Sequence, residues 1–381
     1  MRLTALALAA TAIAGLVSPV SAQDVLKPEQ VVKTTIPAGT PKLFVADIAI
    51  GHIVDGRLHV LNADTMQYLG LIGTGFAGQV FVPPTGNLVW ISTSYQEKLT
   101  RGKRSDYLEA WDTSTLTVKQ EIPISTTRAQ ALNYKPLLQQ SVDGHWMFVQ
   151  DATPATSISV VDIKAGKQTA EISNAGCYGT YPSATNGQRF ATMCGDGTFG
   201  SYTLSADGTS AERKASAKIF DADTDALFLH GERDGNDWLF ITFLGSVYRV
   251  NIEGETAKLV DSFSFAADGW RPSGYQTHAY DAKAGILYVL MHPNGEEGSH
   301  KNPAEEIWAI DMKTKKVVSR SKTSTAFSVA VSQAEQPVVY AIDLVNLKVL
   351  RYTSDPSKGY ALTPAGEGRG GETPIQLDLQ Q

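Results

Sequence analysis

Two histidines, His292 and His300, stand eight residues apart with Glu296 and Glu297 between them. Imidazoles and carboxylates are the donor types that a zinc-like ion takes. Pro293-Asn294-Gly295 and Gly298-Ser299 would reverse the chain and could bring the donors together. An ordinary polar loop accounts for the same residues, and no metal site is assigned. Arg101-Gly102-Lys103-Arg104-Ser105-Asp106 is the tightest basic cluster. It could face a phosphate or an acidic partner, but a solvated loop that pairs its charges locally is the simpler reading. Asp106, Asp112 and Asp162 are candidate acids; their recurrence at strand ends reads as turn capping. A serine nucleophile elbow, a phosphate loop and a zinc-binding helix motif are all missing. No catalytic residue is therefore assigned to this chain. The chemistry lies on another chain, in a bound cofactor, or nowhere.

The elements that must position these residues are strands. Runs such as Leu88-Val89-Trp90-Ile91, Trp146-Met147-Phe148-Val149 and Ile286-Leu287-Tyr288-Val289-Leu290 are short and rich in β-branched and aromatic residues. A pattern of apolar residues, a small polar residue and a turn ends at positions 62, 112, 162, 205, 251, 311 and 353. The spacings of 50, 50, 43, 46, 60 and 42 residues suit a four-stranded propeller blade of about 40 to 50 residues. Turn formers stand before the preceding strand in several units, as Gly86-Asn87, Asp143-Gly144, Asn186-Gly187, Asp234-Gly235 and Ala284-Gly285. A lone four-stranded sheet exposes two faces and two edges. Radial stacking buries the faces, and closing the ring removes the terminal interfaces. The expected fold is all-β, a seven-bladed β-propeller. The second and sixth units carry insertions around 95–106 and 292–305, expected to project from one face.

Residues 1–22 read as a signal peptide, with Arg2 before an apolar run and Val20-Ser21-Ala22 before the cut. Removing Arg2 leaves 32 basic against 39 acidic residues, a net charge of −7. That balance argues against nonspecific nucleic-acid binding. No later stretch is long and apolar enough for a membrane helix. Cys177 and Cys194 are the only cysteines. In an oxidising compartment an even count suggests one disulfide, with two free buried thiols as the alternative. The domain reading is a signal peptide at 1–22, an N-terminal extension at 23–41, the propeller at 42–365 and a C-terminal tail at 366–381. Gly366-Glu367-Gly368-Arg369-Gly370-Gly371 is expected to be flexible.

Several segments resemble the heavy subunits of quinoprotein amine dehydrogenases. They are Thr100 to Asp106 followed by Glu109-Ala110-Trp111-Asp112, Pro154-Ala155-Thr156-Ser157-Ile158, and Gly269-Trp270-Arg271-Pro272-Ser273-Gly274-Tyr275. Gly176-Cys177 and Cys194-Gly195-Asp196-Gly197 match the family's disulfide-bearing blade. Met291 to Lys301, with Ile307-Trp308 and Asp311, looks closer to the aromatic amine branch than to the methylamine branch. The matches run in order over about 42–350, most of the mature chain. The resemblance implies a periplasmic heterotetramer of two heavy and two light subunits. It places tryptophan tryptophylquinone on the light subunit, which oxidises a primary amine to aldehyde and ammonia and passes electrons to azurin or amicyanin. This chain would seat the light subunit and wall the substrate channel. Phe76, in Gly75-Phe76-Ala77-Gly78, occupies the place of a family phenylalanine at the channel mouth; an ordinary core aromatic is the alternative. One departure is the short segment before the first blade, 23–41, where methylamine-type heavy subunits often carry a longer extension. Without the resemblance, a stand-alone lactonase-like propeller hydrolase or a non-catalytic binding propeller remains open.

Overall fold

A computed structural model describes residues 35–131 and 133–380. The signal-peptide reading and the first part of the extension lie outside these residues. The chain is an all-β propeller, with only short 3-10 turns between strands. In Lys42–Asp47 and Trp146–Asp151 nearly every residue is buried, as expected for strands packed on both faces. The outermost strands, such as Lys167–Ser173 and Lys258–Ser264, alternate or expose most residues.

Five sheets have four antiparallel strands each. The first runs Pro374–Gln380, Lys42–Asp47, Gly56–Asn62, Tyr68–Gly75. The second is Gln79–Phe81, Leu88–Gln96, Arg104–Asp112, Thr117–Ile124. The third starts at Leu138–Gln140, the fourth at Cys177–Pro182 and the fifth at Leu227–Asp234. The remaining strands join in one eight-stranded sheet. In it, Lys316–Val331 pairs through its first half with Ala304–Asp311 and through residues 326–331 with Val338–Asp343. Apolar clusters fill the gaps between consecutive groups of strands. One joins Phe44 and Leu58 to Val89 and Ile91. Another joins Phe148 and Val160 to Phe190 and Tyr202. Leu43 and Leu377 pack with Tyr340 and Ile342, so the last group meets the first. Burying each such side chain contributes about 1.5–3 kcal/mol.

The segment expected as a flexible tail is structured. Ala361–Arg369 is a strand on Lys348–Asp355. Pro374–Gln380 is the innermost strand of the first sheet, paired from Lys42↔Gln380 to Asp47↔Pro374. The reason is closure: the chain's end satisfies an edge that its beginning would leave open. Local glycine content carries no information about that distant partner.

The repeated polar positions fall on the turn after the third strand. Asn62 Oδ1 accepts from Asp64 N at 2.9 Å, Asp112 Oδ1 from Ser114 N at 2.8 Å, and Asp311 Oδ1 from Lys313 N at 2.8 Å. In the last unit the capping residue is Asp355, which accepts from Ser357 N at 2.9 Å, two residues beyond Thr353. The capping expectation also holds for Asp162, whose Oδ1 accepts from Ala165 N at 2.7 Å. Asp106 is a correction. It is buried inside Arg104–Asp112 and pairs with the Arg104 guanidinium, Nε to Oδ1 at 2.7 Å. It faces the interior of the strand, so no turn is there to cap.

Candidate functional site

Chain direction reverses at every strand, which sorts the connections onto two faces. The link 75–79, the loop after Gln96 and the loop after His292 all emerge on one face. Phe76 sits on that face, half-buried. Gly75 has φ 60° and Ala77 has φ 44°, so the turn bends through the left-handed region on both sides of Phe76. Thr93 Oγ1 donates to Thr74 O at 2.6 Å, and Phe76 N donates to Ser94 O at 3.2 Å.

Arg128 pins this turn from the link between the second and third sheets. It is only 1% exposed. Its Nη1 donates to Ala77 O at 3.0 Å and to Ala129 O at 3.1 Å, its Nε to Ser94 Oγ at 2.9 Å, and its Nη2 to Phe76 O. Burial lowers its guanidinium to about 10, against the raising effect of Asp106, so it stays charged at neutral pH. A buried cation that satisfies backbone carbonyls is worth more than a neutral donor. Nothing in Thr127-Arg128-Ala129 signals this role, because its partners Ser94, Phe76 and Ala77 lie 34 to 52 residues away.

The histidines of the long loop do not converge on one point. His292 is buried, with Nδ1 2.9 Å from Pro293 O and Nε2 3.2 Å from Ser299 Oγ. His300 stacks on Phe243 at 4.4 Å. Burial lowers both imidazoles. The loop packs on the segment before it, with Gly295 N donating to Gly269 O and Gly274 N to His300 O. In the basic cluster, Arg104 finds its local carboxylate in Asp106. Cys177 and Cys194 form a disulfide between the first two strands of the fourth sheet.

The opposite face opens into a cavity of about 740 Å³ on the propeller axis. The innermost strands supply its lining, among them Val80, Gln140, Tyr181, Tyr280, Val331 and Gln376. Lys135 Nζ lies 3.0 Å from Asp378 Oδ1 and 4.0 Å from Glu232 Oε1. Glu232 Oε1 is 3.0 Å from His230 Nε2. Burial alone would raise the Glu232 carboxyl; Lys135 and the His230 hydrogen bond override it and hold the group at about 2. Burial raises Asp378, and Lys135 opposes that shift. On the Phe76 side of these ions the axis is filled with rings. Tyr134 meets Tyr275 at 5.7 Å, and Tyr275 meets Phe327 at 5.5 Å. This ionic set was not anticipated from the sequence.

Trp270 and Trp308, the tryptophan pair in ring contact among the described residues, lie 5.7 Å apart, and the Arg320 guanidinium stacks on both at 4.7 and 4.4 Å. Trp308 Nε1 also donates to Glu306 Oε2 at 2.7 Å. Both rings are committed to packing.

Comparison with known proteins places this geometry. The propeller resembles a periplasmic gluconolactonase of Pseudomonas aeruginosa, with a TM-score of 0.64 at 15% identity over 90% of this chain and 99% of that one. A putative 6-phosphogluconolactonase of Bacteroides fragilis gives a TM-score of 0.64 at 12% identity, over 91% and 99%. At such identities the likeness concerns the fold alone. Relatives in sequence are more specific. The methylamine dehydrogenase heavy chain of Methylophilus methylotrophus is 27% identical over 335 residues, covering 86% of this chain and 80% of the relative. That of Methylorubrum extorquens is 26% identical over 361 residues, covering 92% and 86%. The family model for the methylamine dehydrogenase heavy chain matches residues 40–370, and the chain belongs to that family.

Proposed function

We propose that this chain is the non-catalytic heavy subunit of a periplasmic amine dehydrogenase, exported by the signal peptide at 1–22, and that it holds a light subunit in a two-plus-two heterotetramer. The observation that carries the reading is the family match over 40–370. Tryptophan tryptophylquinone on the light subunit supplies the amine-oxidising chemistry. This chain's residues orient that subunit and exclude water from the path to it. The eight-stranded sheet counts as two blades, since Lys316–Val331 serves one group of strands with each half. This count supports a seven-bladed propeller. Among the described residues, no helix is long and apolar enough to cross a membrane.

The light subunit docks on the face that carries Phe76. Exposed apolar side chains on that face include Ile50 at 57%, Leu99 at 67% and Val345 at 66%. These three sit on connections of neighbouring groups of strands, and that supports docking there. Phe76, held by Arg128, is the apolar wall of the substrate channel. The substrate is an aromatic primary amine, a reading supported by the Met291 to Lys301 loop, and the electron acceptor is a copper protein such as azurin or amicyanin.

A native pull-down of the tagged chain from the source periplasm, followed by a visible spectrum, tests this. A small disulfide-rich partner whose quinone band bleaches with tyramine, and less with methylamine, is the expected result. Bleaching by methylamine alone refutes the aromatic assignment. A partnerless chain with a featureless spectrum refutes the heavy-subunit reading.

A further inference from the structure

The axial cavity has no part in the proposed channel, which lies on the other face. Its volume of about 740 Å³ falls in the range of small-molecule sites. It is closed at one end. Tyr134 precedes the third sheet, and Tyr275 enters the eight-stranded sheet on the far side of the ring, so their contact spans the axis. Below these rings, Lys135, Asp378 and Glu232 arrive from three different groups of strands and form the floor. Their side chains keep 23%, 11% and 23% exposure, so the ions are accessible. Lys135 Nζ has one contact at 3.0 Å and one at 4.0 Å. An ammonium has three donors, so it retains capacity for another acceptor.

The wall carries a second cation. Arg233 is half-buried and stacks on Trp238, with Cζ 4.5 Å from the ring centroid. The stacking and the Nη2 bond to Pro182 O fix the plane of the guanidinium. The rest of the wall mixes apolar and aromatic side chains, such as Phe81, Tyr280, Val331 and Leu379, with polar ones, such as Gln139 and Gln376. Two carboxylates and two cations thus border one pocket, open at its outer end and lined in part by apolar side chains. Such a set matches a ligand that bears both charges, because a lone anion or a lone cation leaves one sign unmatched.

We propose that the axial cavity binds a small zwitterion, an amino acid with an apolar or aromatic side chain. Its ammonium meets Glu232 and Asp378, its carboxylate meets Lys135 and Arg233, and its side chain packs along Trp238 and Tyr280. The assignment uses this chain alone and stands whether or not a light subunit is attached.

Isothermal titration calorimetry of the full chain with three probes tests it. Phenylalanine carries both charges, phenylacetate only the anion and phenethylamine only the cation. Phenylalanine is expected to bind with a Kd on the order of 0.1 mM, and each single-charge probe at least about tenfold more weakly. Arg233→Gln should weaken phenylalanine by about tenfold, with the melting temperature recorded beside it. Saturable binding of phenethylamine or phenylacetate as tight as that of phenylalanine overturns the proposal. So does the lack of saturable heat with phenylalanine up to about 10 mM. The three-probe comparison on the unaltered chain needs no variant to fold.

Discussion

The two ends of the propeller axis solve the problem of a buried cation differently. On the Phe76 face, Arg128 is satisfied by neutral acceptors: three backbone carbonyls and a serine hydroxyl. At the cavity floor, Lys135 is held by two carboxylates. The first arrangement spends every guanidinium nitrogen on the turn and the strand and link beside it, and fixes a shape. The second leaves donors and acceptors accessible and presents a charge pattern. The difference teaches that burial of charge serves two ends here, rigidity on one face and recognition on the other.

The comparison breaks most clearly at Arg128. Arg128→Met deletes the donor to Phe76 O, Ala77 O and Ala129 O and leaves those carbonyls in a dry site. The expected loss is about 3–5 kcal/mol, read as a lower midpoint in a denaturant titration. If the Phe76 turn is what Arg128 fixes, capture of the light subunit should fail even where the chain still folds. A variant that melts as the parent does would show that the turn holds itself.

Lys135→Met is the matching change at the other end. It leaves Asp378 and Glu232 facing each other without their cation. These groups keep contact with solvent through the cavity, so screening trims the loss to about 2–3 kcal/mol. Light-subunit capture should survive, because the altered site lies opposite the proposed docking face. Loss of capture here would mean that the two ends are coupled through the axial rings.

A third pin ties the chain's ends together on the Phe76 face. Asp47 Oδ1 accepts from Ala49 N and Thr373 N, and Oδ2 accepts from Glu372 N, with His59 Nε2 3.2 Å away. Burial would raise this carboxyl, but the His59 contact and the backbone donors bring it down to about 2 from 3.8. A depressed folded pKa contributes stability above the unfolded value. The contribution, about 2 kcal/mol, is lost as pH falls from about 4 through about 2. Asp47→Asn should lower stability at pH 7 and flatten the acid limb of a stability–pH curve. An unchanged acid limb would move the closure energy elsewhere.

The repeat was legible because most units end their third strand with the same local device. A side-chain oxygen at Asn62, Asp112, Asp162 or Asp311 accepts from a backbone N–H two or three residues on, and such caps leave a spaced mark in sequence. Arg128 and the floor of the cavity left none. Asp378 and Lys135 are 243 residues apart and meet only because the ring closes. Asp378 also lies in a segment whose glycine-rich approach reads as a tail. Asp106 was misread for a related reason: its partner Arg104 is two residues away on the same strand face, and that pairing needs the sheet to bury it.

The smallest structural effect belongs to Phe76 itself. Its ring is half-buried, and its backbone, not its side chain, carries the bonds to Arg128 and Ser94. Phe76→Ala should therefore cost less than about 1 kcal/mol of stability. As the proposed channel wall it should nevertheless change selectivity. Removing one apolar contact from a pocket is worth about 1–3 kcal/mol between substrates of different size. The ratio of kcat/KM for phenethylamine over methylamine in the assembled enzyme should shift by about tenfold. Arg128→Lys, which keeps charge but loses the planar fork, should shift it in the same direction through a loosened turn. A Phe76→Ala enzyme with the parental ratio would return this residue to ordinary packing and leave the channel wall to the neighbouring loops after Gln96 and His292.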